Sequence, residues 1–116
     1  MSQPMINDRC PYLPLALDLG SRSESVEAFI DTGFDGDVAL PADLLQGSRP
    51  VANFNCVLAD GSEVKTPVYR GRVRVGDLGV CPVDIIEIGD EPVVGREITD
   101  RFTLILDHGR QVRVEP

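Results

Sequence analysis

The stretch of sequence that decides the fold reads Ala28-Phe29-Ile30-Asp31-Thr32-Gly33. It is an apolar strand that ends in a carboxylate, a hydroxyl and a glycine. A glycine at this point lets another backbone approach closely, and the threonine hydroxyl can hydrogen-bond to a partner loop. The same tripeptide also fits an ordinary turn at the end of a strand, so the sequence around it must decide between the two interpretations.

Short apolar runs separated by turn residues surround this stretch, a pattern that predicts an all-β sandwich or barrel. Before it, residues 13–19 alternate as a strand, residues 20–25 form a loop, and residues 26–30 return as the strand that leads into Asp31. After it, residues 38–41 predict a short extended segment. A single helical turn is expected next, over residues 42–45.

A protruding hairpin is predicted in the middle of the chain. Its signal is Asp60-Gly61, which favours a two-residue turn with positive φ. The flanking strands cover residues 54–59 and 62–69. We therefore expect a two-stranded ribbon with Asp60-Gly61 at its tip.

The C-terminal third of the chain predicts more strands and one short helix. An apolar strand covers residues 83–88, and a helix is expected over residues 96–102 because Ile98 and Phe102 lie four apart. A closing hairpin with strands at residues 103–106 and 112–114 surrounds the turn Asp107-His108-Gly109.

The 116 residues fit one domain, which we assign to residues 1–116 with a loose N-terminal segment over residues 1–12. The net charge is −8, so nucleic acid is not an expected partner, because binding it requires clustered cations. The first 14 residues have no apolar segment that resembles a secretion signal. Nothing later is long enough to span a membrane, so we predict a cytoplasmic protein with no membrane partner.

The sequence predicts neither a metal site nor a cofactor. Cys10, Cys56 and Cys81 match no disulfide framework and no metal-binding spacing, and reduced thiols are expected. His108 stands alone in a turn, where a solvated loop residue is the simplest interpretation. The cysteines have no paired histidine in a thiol-protease motif.

The order of these features resembles the retropepsin-like aspartic proteases over residues 13–114. The shared features are Asp31-Thr32-Gly33 at a strand end, a hairpin tipped by Asp60-Gly61, the motif Val93-Val94-Gly95, a short helix and terminal strands. The extension Asp31-Thr32-Gly33-Phe34, with Gly36 two positions on, is similar to a bacterial and archaeal group of that family. The resemblance implies an all-β, closed retropepsin-like (acid protease) barrel with one short C-terminal helix and a flap hairpin.

The resemblance also implies roles for individual residues. Asp31, Thr32 and Gly33 would be catalytic, and Val93-Val94-Gly95 would support them as the psi loop. Gly95-Arg96 is similar to a Gly-Arg pair of the family, which implies an ion pair between Arg96 and Asp35. The residues expected to bind substrate are Phe34, Asp35, Gly36, Ala59, Asp60, Gly61 and Ser62.

Two departures from retroviral members of the family concern the substrate. Phe34 replaces a small residue, so its ring would either narrow the pocket or turn away into the core. The tip sequence Leu58-Ala59-Asp60-Gly61-Ser62 lacks the glycine-rich character of retroviral flaps.

The expected function is that of an aspartic endopeptidase. Its mechanism uses two carboxylates, and the chain has one Asp-Thr-Gly, so a homodimer is the expected active form and a peptide or protein is the expected substrate. The alternative is a non-catalytic retropepsin-like module that binds peptides by strand addition or serves for dimerisation. A structural relic with no ligand in the cleft is a third reading, although a relic has no chemical need for Asp31, Thr32 and Gly33.

Overall fold

The computed structural model of the chain describes residues 2–4 and 10–116, apart from the side chain of Cys56. Strands make up most of the described structure, which confirms the predicted all-β class. The elements, in chain order, are β1 (Ser2–Pro4), β2 (Tyr12–Asp18), β3 (Ser23–Ile30), β4 (Val38–Leu40), a 3-10 turn (Ala42–Leu45), β5 (Ala52–Val57), β6 (Glu63–Arg74), β7 (Val80–Glu87), β8 (Val93–Val94), α1 (Arg96–Thr99), β9 (Thr103–Asp107) and β10 (Gln111–Glu115).

The strands of the described residues form two sheets. The larger has seven strands in the order β2-β3-β8-β4-β7-β6-β5, and β2 pairs additionally with β6. Hydrogen-bonded pairing therefore runs in a ring through six of these strands, and β5 lies outside the ring as a partner of β6 alone. The smaller sheet has the order β1-β10-β9.

The core is built from the period-two alternation of the strands. In β2, Leu13, Leu15 and Leu17 are buried while the residues between them face outward. Val73 on β6 and Ile85 on β7 are both 0% exposed and belong to the same cluster. The inward set of apolar side chains holds the ring together, and the polar residues between them give the solvent face.

The hairpin between β5 and β6 has a different turn from the one predicted. Only Gly61 has positive φ (86°), whereas a two-residue turn of the predicted type needs positive φ at Asp60 as well. The amide of Leu58 donates to the Ser62 carbonyl and that of Gly61 to the Leu58 carbonyl, so the loop has three residues, 59–61. The predicted hairpin exists, but its two-residue turn is wrong.

Positive φ at both central turn residues occurs instead in the β9–β10 hairpin. His108 has φ 52° and Gly109 has φ 67°, and the Arg110 amide donates to the Asp107 carbonyl. The predicted closing hairpin is confirmed at this turn.

Several element boundaries differ from the sequence prediction. β6 is one strand of 12 residues that continues to Arg74, whereas the predicted hairpin strand ends at residue 69. Helix α1 has 4 residues rather than the seven of 96–102. It ends early because the amides of Arg101 and Phe102 donate to carbonyls three residues back, which tightens the chain into a turn before β9 begins.

The N-terminal segment is not loose where it is described. Ser2–Pro4 pairs antiparallel with β10, with Gln3 opposite Val112, and Tyr12 begins β2. The side-chain amide of Gln3 also donates to the Tyr12 carbonyl at 2.7 Å. The remainder of the predicted loose segment, residues 1 and 5–9, lies outside the described residues. Across the described ranges, no helix has the length and apolar character needed to cross a membrane.

Candidate active site

Asp31 is positioned by the parallel pairing of β3 with β8. Ile30 lies opposite Val94 in this pair, and the Asp31 amide donates to the Val94 carbonyl at 3.1 Å. The apolar run that ends in Ile30 is drawn into the core, because Ala28 and Ile30 are buried. Asp31 is therefore the first residue that leaves the sheet, and it is half-buried there.

A tight turn fixes the Asp31 carboxylate. The Gly33 amide donates to Asp31 Oδ1 at 2.9 Å, and the Phe34 amide donates to the Asp31 carbonyl at 3.2 Å. A side-chain carbon on Gly33 would lie 3.2 Å from Asp31 Oδ1, so a larger residue would crowd the carboxylate. The strand end thus presents a carboxylate with one oxygen held by a backbone donor, while Thr32 and Gly33 are exposed.

The Val93-Val94-Gly95 segment braces this loop through the backbone. The Gly95 amide donates to the Asp37 carbonyl at 2.9 Å, the Arg96 amide to the Phe34 carbonyl at 2.9 Å, and the Glu97 amide to the Gly36 carbonyl at 3.2 Å. Three successive amides at the start of α1 therefore donate to three carbonyls of the loop that follows Asp31. The two motifs singled out in the sequence lie side by side.

Gly95 allows this approach because it has no side chain. A side-chain carbon there would lie 2.3 Å from the Gly36 carbonyl oxygen and 2.6 Å from Phe34 Cδ2. Such distances are far below van der Waals contact, and the first of these atoms is backbone that cannot rotate away. Gly95 is required by packing, since its φ of −104° is open to any residue.

The Phe34 ring lies against two glycines and faces a cavity. Its Cζ would be 2.6 Å from a side-chain carbon on Gly36, and its Cδ2 equally close to one on Gly95. Phe34 also lines a cavity of about 200 Å³ together with Asp35 and Gly36. Of the two sequence alternatives, the structure therefore has the ring at the pocket rather than turned away into the core.

The predicted ion pair between Asp35 and Arg96 is wrong in this structure. Within residues 2–4 and 10–116, ion pairs join other residues, and none joins these two. Both side chains are exposed, and an exposed pair contributes little stability in water. The connection that the pair was expected to make is made by the backbone bond from Arg96 to Phe34.

The hairpin tip carries the other predicted substrate-binding residues. Ala59, Asp60, Gly61 and Ser62 are all exposed. Asp60 Oδ1 accepts hydrogen bonds from the Ser62 hydroxyl and, at 2.9 Å, from the Ser62 amide. The hydroxyl bond and then the amide bond lower the pKa of Asp60 below its ordinary value. None of these four residues lines the cavity beside Phe34.

Sequence reasoning missed the residues that complete that cavity. Its lining outside the predicted set is Asp37, Phe54, Val68, Asp84 and Ile86. Phe54 and Val68 were detectable in principle, because period-two alternation and the Ala52↔Val68 register place them on one face of the hairpin. Asp84 and Ile86 come from β7, whose contact with the hairpin base depends on tertiary pairing.

A larger cavity of about 550 Å³ lies beyond this one. It is lined by residues of β2, β6 and β7, among them Arg70 and Arg72, and it does not reach Asp31 or Phe34. The two cavities share Asp37 and Asp84. Asp31 lines neither cavity, but the smaller one is lined by the loop that follows Asp31, at Phe34, Asp35 and Gly36.

No cluster of three or more His, Cys, Asp or Glu side chains suited to a metal ion occurs within the described ranges. The groups that hydrogen-bond Asp31 are the backbone amides of Gly33 and Phe34 and the backbone carbonyl of Val94. This arrangement suits acid-base chemistry by a carboxylate with a fixed orientation.

Comparison with solved structures agrees with this geometry. A retropepsin-like aspartic protease from Rickettsia conorii superposes with a TM-score of 0.65 at 14% identity, covering 98% of this chain and 90% of that one. The chain has a retropepsin-like fold. The simian foamy virus (mac) protease superposes with a TM-score of 0.52 at 18% identity, covering 72% of this chain and 88% of that one. No protein-family model matches the chain, and no curated protein matches it significantly.

The retropepsin-like fold relates the Asp31 loop to the 93–97 segment that braces it. Of these two structures, one is described as a retropepsin-like aspartic protease and the other as a viral protease, and both match most of their own length. At these low identities the likeness concerns the arrangement of the backbone. The bracing of the 31–37 loop by the 93–97 segment is accordingly a property of the backbone, and it does not require the side-chain pair expected from the sequence.

Gly95→Ala should destabilise the fold by about 3 kcal/mol, because the added methyl group meets backbone that cannot move away. Chemical denaturation followed by circular dichroism measures the change. The matched control is Gly20→Ala, where the added carbon meets open space and the φ of 83° alone costs about 1 kcal/mol. Equal destabilisation by the two substitutions would contradict the packing role of Gly95.

The pKa of Asp60 should lie below the ordinary aspartate value of about 3.9. Since the folded-state pKa is lowered, the Ser62 bonds stabilise the tip above the ordinary value and are lost as pH falls through the lowered pKa. The backbone amide shift of Ser62, followed by NMR from pH 6 to pH 2, should report this titration. Asp60→Asn should abolish it. A midpoint at or above the ordinary value would count against the bonds.

Proposed function

We propose that the chain is an aspartic endopeptidase that acts as a homodimer on peptide or protein substrates. The observation that carries the proposal is the Asp31 carboxylate at the end of β3, held by the Gly33 amide and braced by the Gly95 segment. The retropepsin-like fold supports it, because the superposing structures include a retropepsin-like aspartic protease and a foamy virus protease.

The chemistry requires a second carboxylate. Two Asp31 side chains, one from each copy, would meet at a two-fold axis and share one proton, because two like charges at hydrogen-bond distance cannot both ionise. The ionised carboxylate would take a proton from water, and the protonated one would polarise the peptide carbonyl. As its proton is removed, the water oxygen would attack the carbonyl carbon and form a tetrahedral intermediate. The C–N bond would then break as a proton from the carboxyl pair passes to the leaving nitrogen, which leaves the pair with one proton again.

The exposure of Thr32 and Gly33 fits such a pairing. Both lie on the surface of the single chain, next to a half-buried Asp31. A hydroxyl at this position can donate across the axis to the partner loop, and glycine lets the two loops approach. Gly33 already holds the Asp31 carboxylate within its own chain, and the exposure of both residues leaves them accessible to a partner loop.

The β5–β6 hairpin is the proposed cover of the cleft. Its tip is exposed, and residues 63–67 of β6 pair with β5 but with no other strand. A two-stranded ribbon is marginally stable in water without further contacts. Closure on an extended substrate would add main-chain hydrogen bonds and exclude water from the carboxylates.

A second candidate function is peptide binding without hydrolysis. β5 is the edge strand of the larger sheet, and its one partner is β6. An exposed edge of this kind can accept an extended peptide as an additional strand. The two candidates differ in their dependence on Asp31, because strand addition needs backbone groups whereas hydrolysis needs the carboxylate.

Asp31→Asn should abolish hydrolysis of unstructured peptides and leave the fold and the dimer intact, since an amide cannot accept the proton from water. Cleavage is measured by mass spectrometry of a peptide mixture, with circular dichroism and ultracentrifugation as checks. Asp43→Asn, in the exposed 3-10 turn, is the matched control and should keep full activity. Hydrolysis at the wild-type rate by Asp31→Asn would exclude the proposed catalytic role.

Thr32→Ala should weaken the dimer, because it removes a hydroxyl that we place in a buried bond across the axis. The expected loss is about 1 to 3 kcal/mol in the free energy of dimerisation. Sedimentation equilibrium at several concentrations gives the dimer constant, and Thr32→Ser, which keeps the hydroxyl, should restore most of it. An unchanged constant for Thr32→Ala would show that the threonine makes no contact across the axis.

A further inference from the structure

The small cavity beside the catalytic loop has apolar walls drawn from four separate segments. Phe34 follows Asp31 in the loop, Phe54 and Val68 come from the two strands of the hairpin, and Ile86 comes from β7. Its volume is about 200 Å³. Pockets that hold a whole small molecule usually measure about 300 to 1,000 Å³. The size therefore suits one side chain of a longer ligand.

Phe54 is the exposed member of this wall. It is 52% exposed, which is a large apolar surface for a residue on an ordered strand. Its ladder partner, Thr66, is buried, so the ribbon is packed against the body of the protein at this point. An apolar side chain inserted beside Phe54 would remove this surface from water, a favourable change of about 25 cal/mol per Å².

The rim of the cavity is acidic. Asp35, Asp37 and Asp84 all line it. Asp37 Oδ2 accepts the Asp84 amide at 2.8 Å, and Asp84 Oδ1 lies 3.5 Å from Arg70 Nε. Three carboxylates against one guanidinium leave the rim negative, in a chain whose net charge is −8. A ligand that passes over this rim is favoured if it carries a positive charge there.

We propose that this cavity is a specificity pocket that accepts an aliphatic side chain of the substrate with a lysine or arginine two positions away. The inference rests on the proposed function and names the substrate class of the same site. The aliphatic side chain contacts Phe34, Phe54, Val68 and Ile86. The cation two positions away points to the same face of the extended substrate, where it lies over the acidic rim. Peptide is the occupant because the pocket opens beside a loop that presents a carboxylate for peptide hydrolysis.

Phe34 sets the depth of the pocket. Its ring is held in place by Gly36 and Gly95, on which any side chain would collide with it. A ring in this position occupies space that a smaller residue would leave to the substrate. The pocket therefore selects leucine, isoleucine or methionine side chains over aromatic ones.

The experiment uses peptides of identical length that differ at two positions, i and i+2, which face the same side of an extended chain. The pairs are Leu-Lys, Ala-Lys, Phe-Lys and Leu-Glu, each in both orders. Hydrolysis by the wild-type protein gives kcat/KM, and binding of the same peptides to Asp31→Asn is measured by fluorescence anisotropy. Leu-Lys should exceed Ala-Lys by about 10-fold to 200-fold, the range typical of apolar pockets, and it should exceed Leu-Glu at low salt more than at high salt.

Three variants locate the preference in the pocket. Phe54→Ala should lower kcat/KM for Leu-Lys toward that for Ala-Lys, Phe34→Leu should raise activity on Phe-Lys, and Asp35→Asn should reduce the preference for Leu-Lys over Leu-Glu. The control is Val51→Ala, at a position that is 59% exposed and does not line the pocket. It should behave as wild type.

The outcomes separate the inference from the proposed function. One outcome is that the wild-type protein cleaves no peptide, yet the Asp31→Asn variant binds Leu-Lys best. If adding Phe54→Ala removes that binding preference, the pocket is supported and the protease function fails. Cleavage without preference among the pairs would overturn the pocket and leave the protease function intact. Equal effects of Phe54→Ala and Val51→Ala would overturn the pocket as well.

Discussion

The arrangement of the site depends on backbone hydrogen bonds between two loops that are far apart in the sequence. The amides of Gly95, Arg96 and Glu97 donate to carbonyls in the 34–37 loop. These donors lie at the start of α1, where helix geometry leaves amides without internal partners. Satisfying them with the loop carbonyls fixes both segments together. The position of Asp31, the packing of Phe34 and the shape of the small cavity all follow from this contact.

Much of the fold could be predicted from local patterns. The strand into Asp31 and the hairpins before and after it follow from period-two alternation and from Gly-containing turns. Two predictions of local structure failed, each for a physical reason. Asp60-Gly61 is a strong two-residue turn signal, yet the chain forms a three-residue loop in which Gly61 alone has positive φ. The helix after Gly95 is shorter than its apolar spacing predicts because the amides of Arg101 and Phe102 donate to carbonyls three residues back, which ends the helix in a tighter turn.

The candidate site was only partly predictable. The residues next to Asp31 were found because they are adjacent in the sequence, and Gly95 because it belongs to a motif. Phe54, Val68 and Ile86 were missed because their meeting depends on how β5, β6 and β7 pair, which no local pattern specifies. The Asp35–Arg96 ion pair, by contrast, was predicted and is absent from the described structure. It was carried over from a resemblance, whereas the backbone of this chain already makes the connection.

The continuity of β6 determines how its hairpin can move. The same strand pairs with β5 alone over residues 63–67 and with the body of the protein from Val68 onward. Thr66 is buried, so the three residues 63–65 extend beyond the body, and at a rise of about 3.3 Å per residue they make a free ribbon of about 10 Å before the loop. The hydrogen-bond ladder between β5 and β6 is continuous, so the hairpin has no hinge about which it could rotate as a rigid lid. The hairpin is therefore fixed to the body of the protein near Thr66, and its tip can move only if the two-stranded ribbon itself bends and twists.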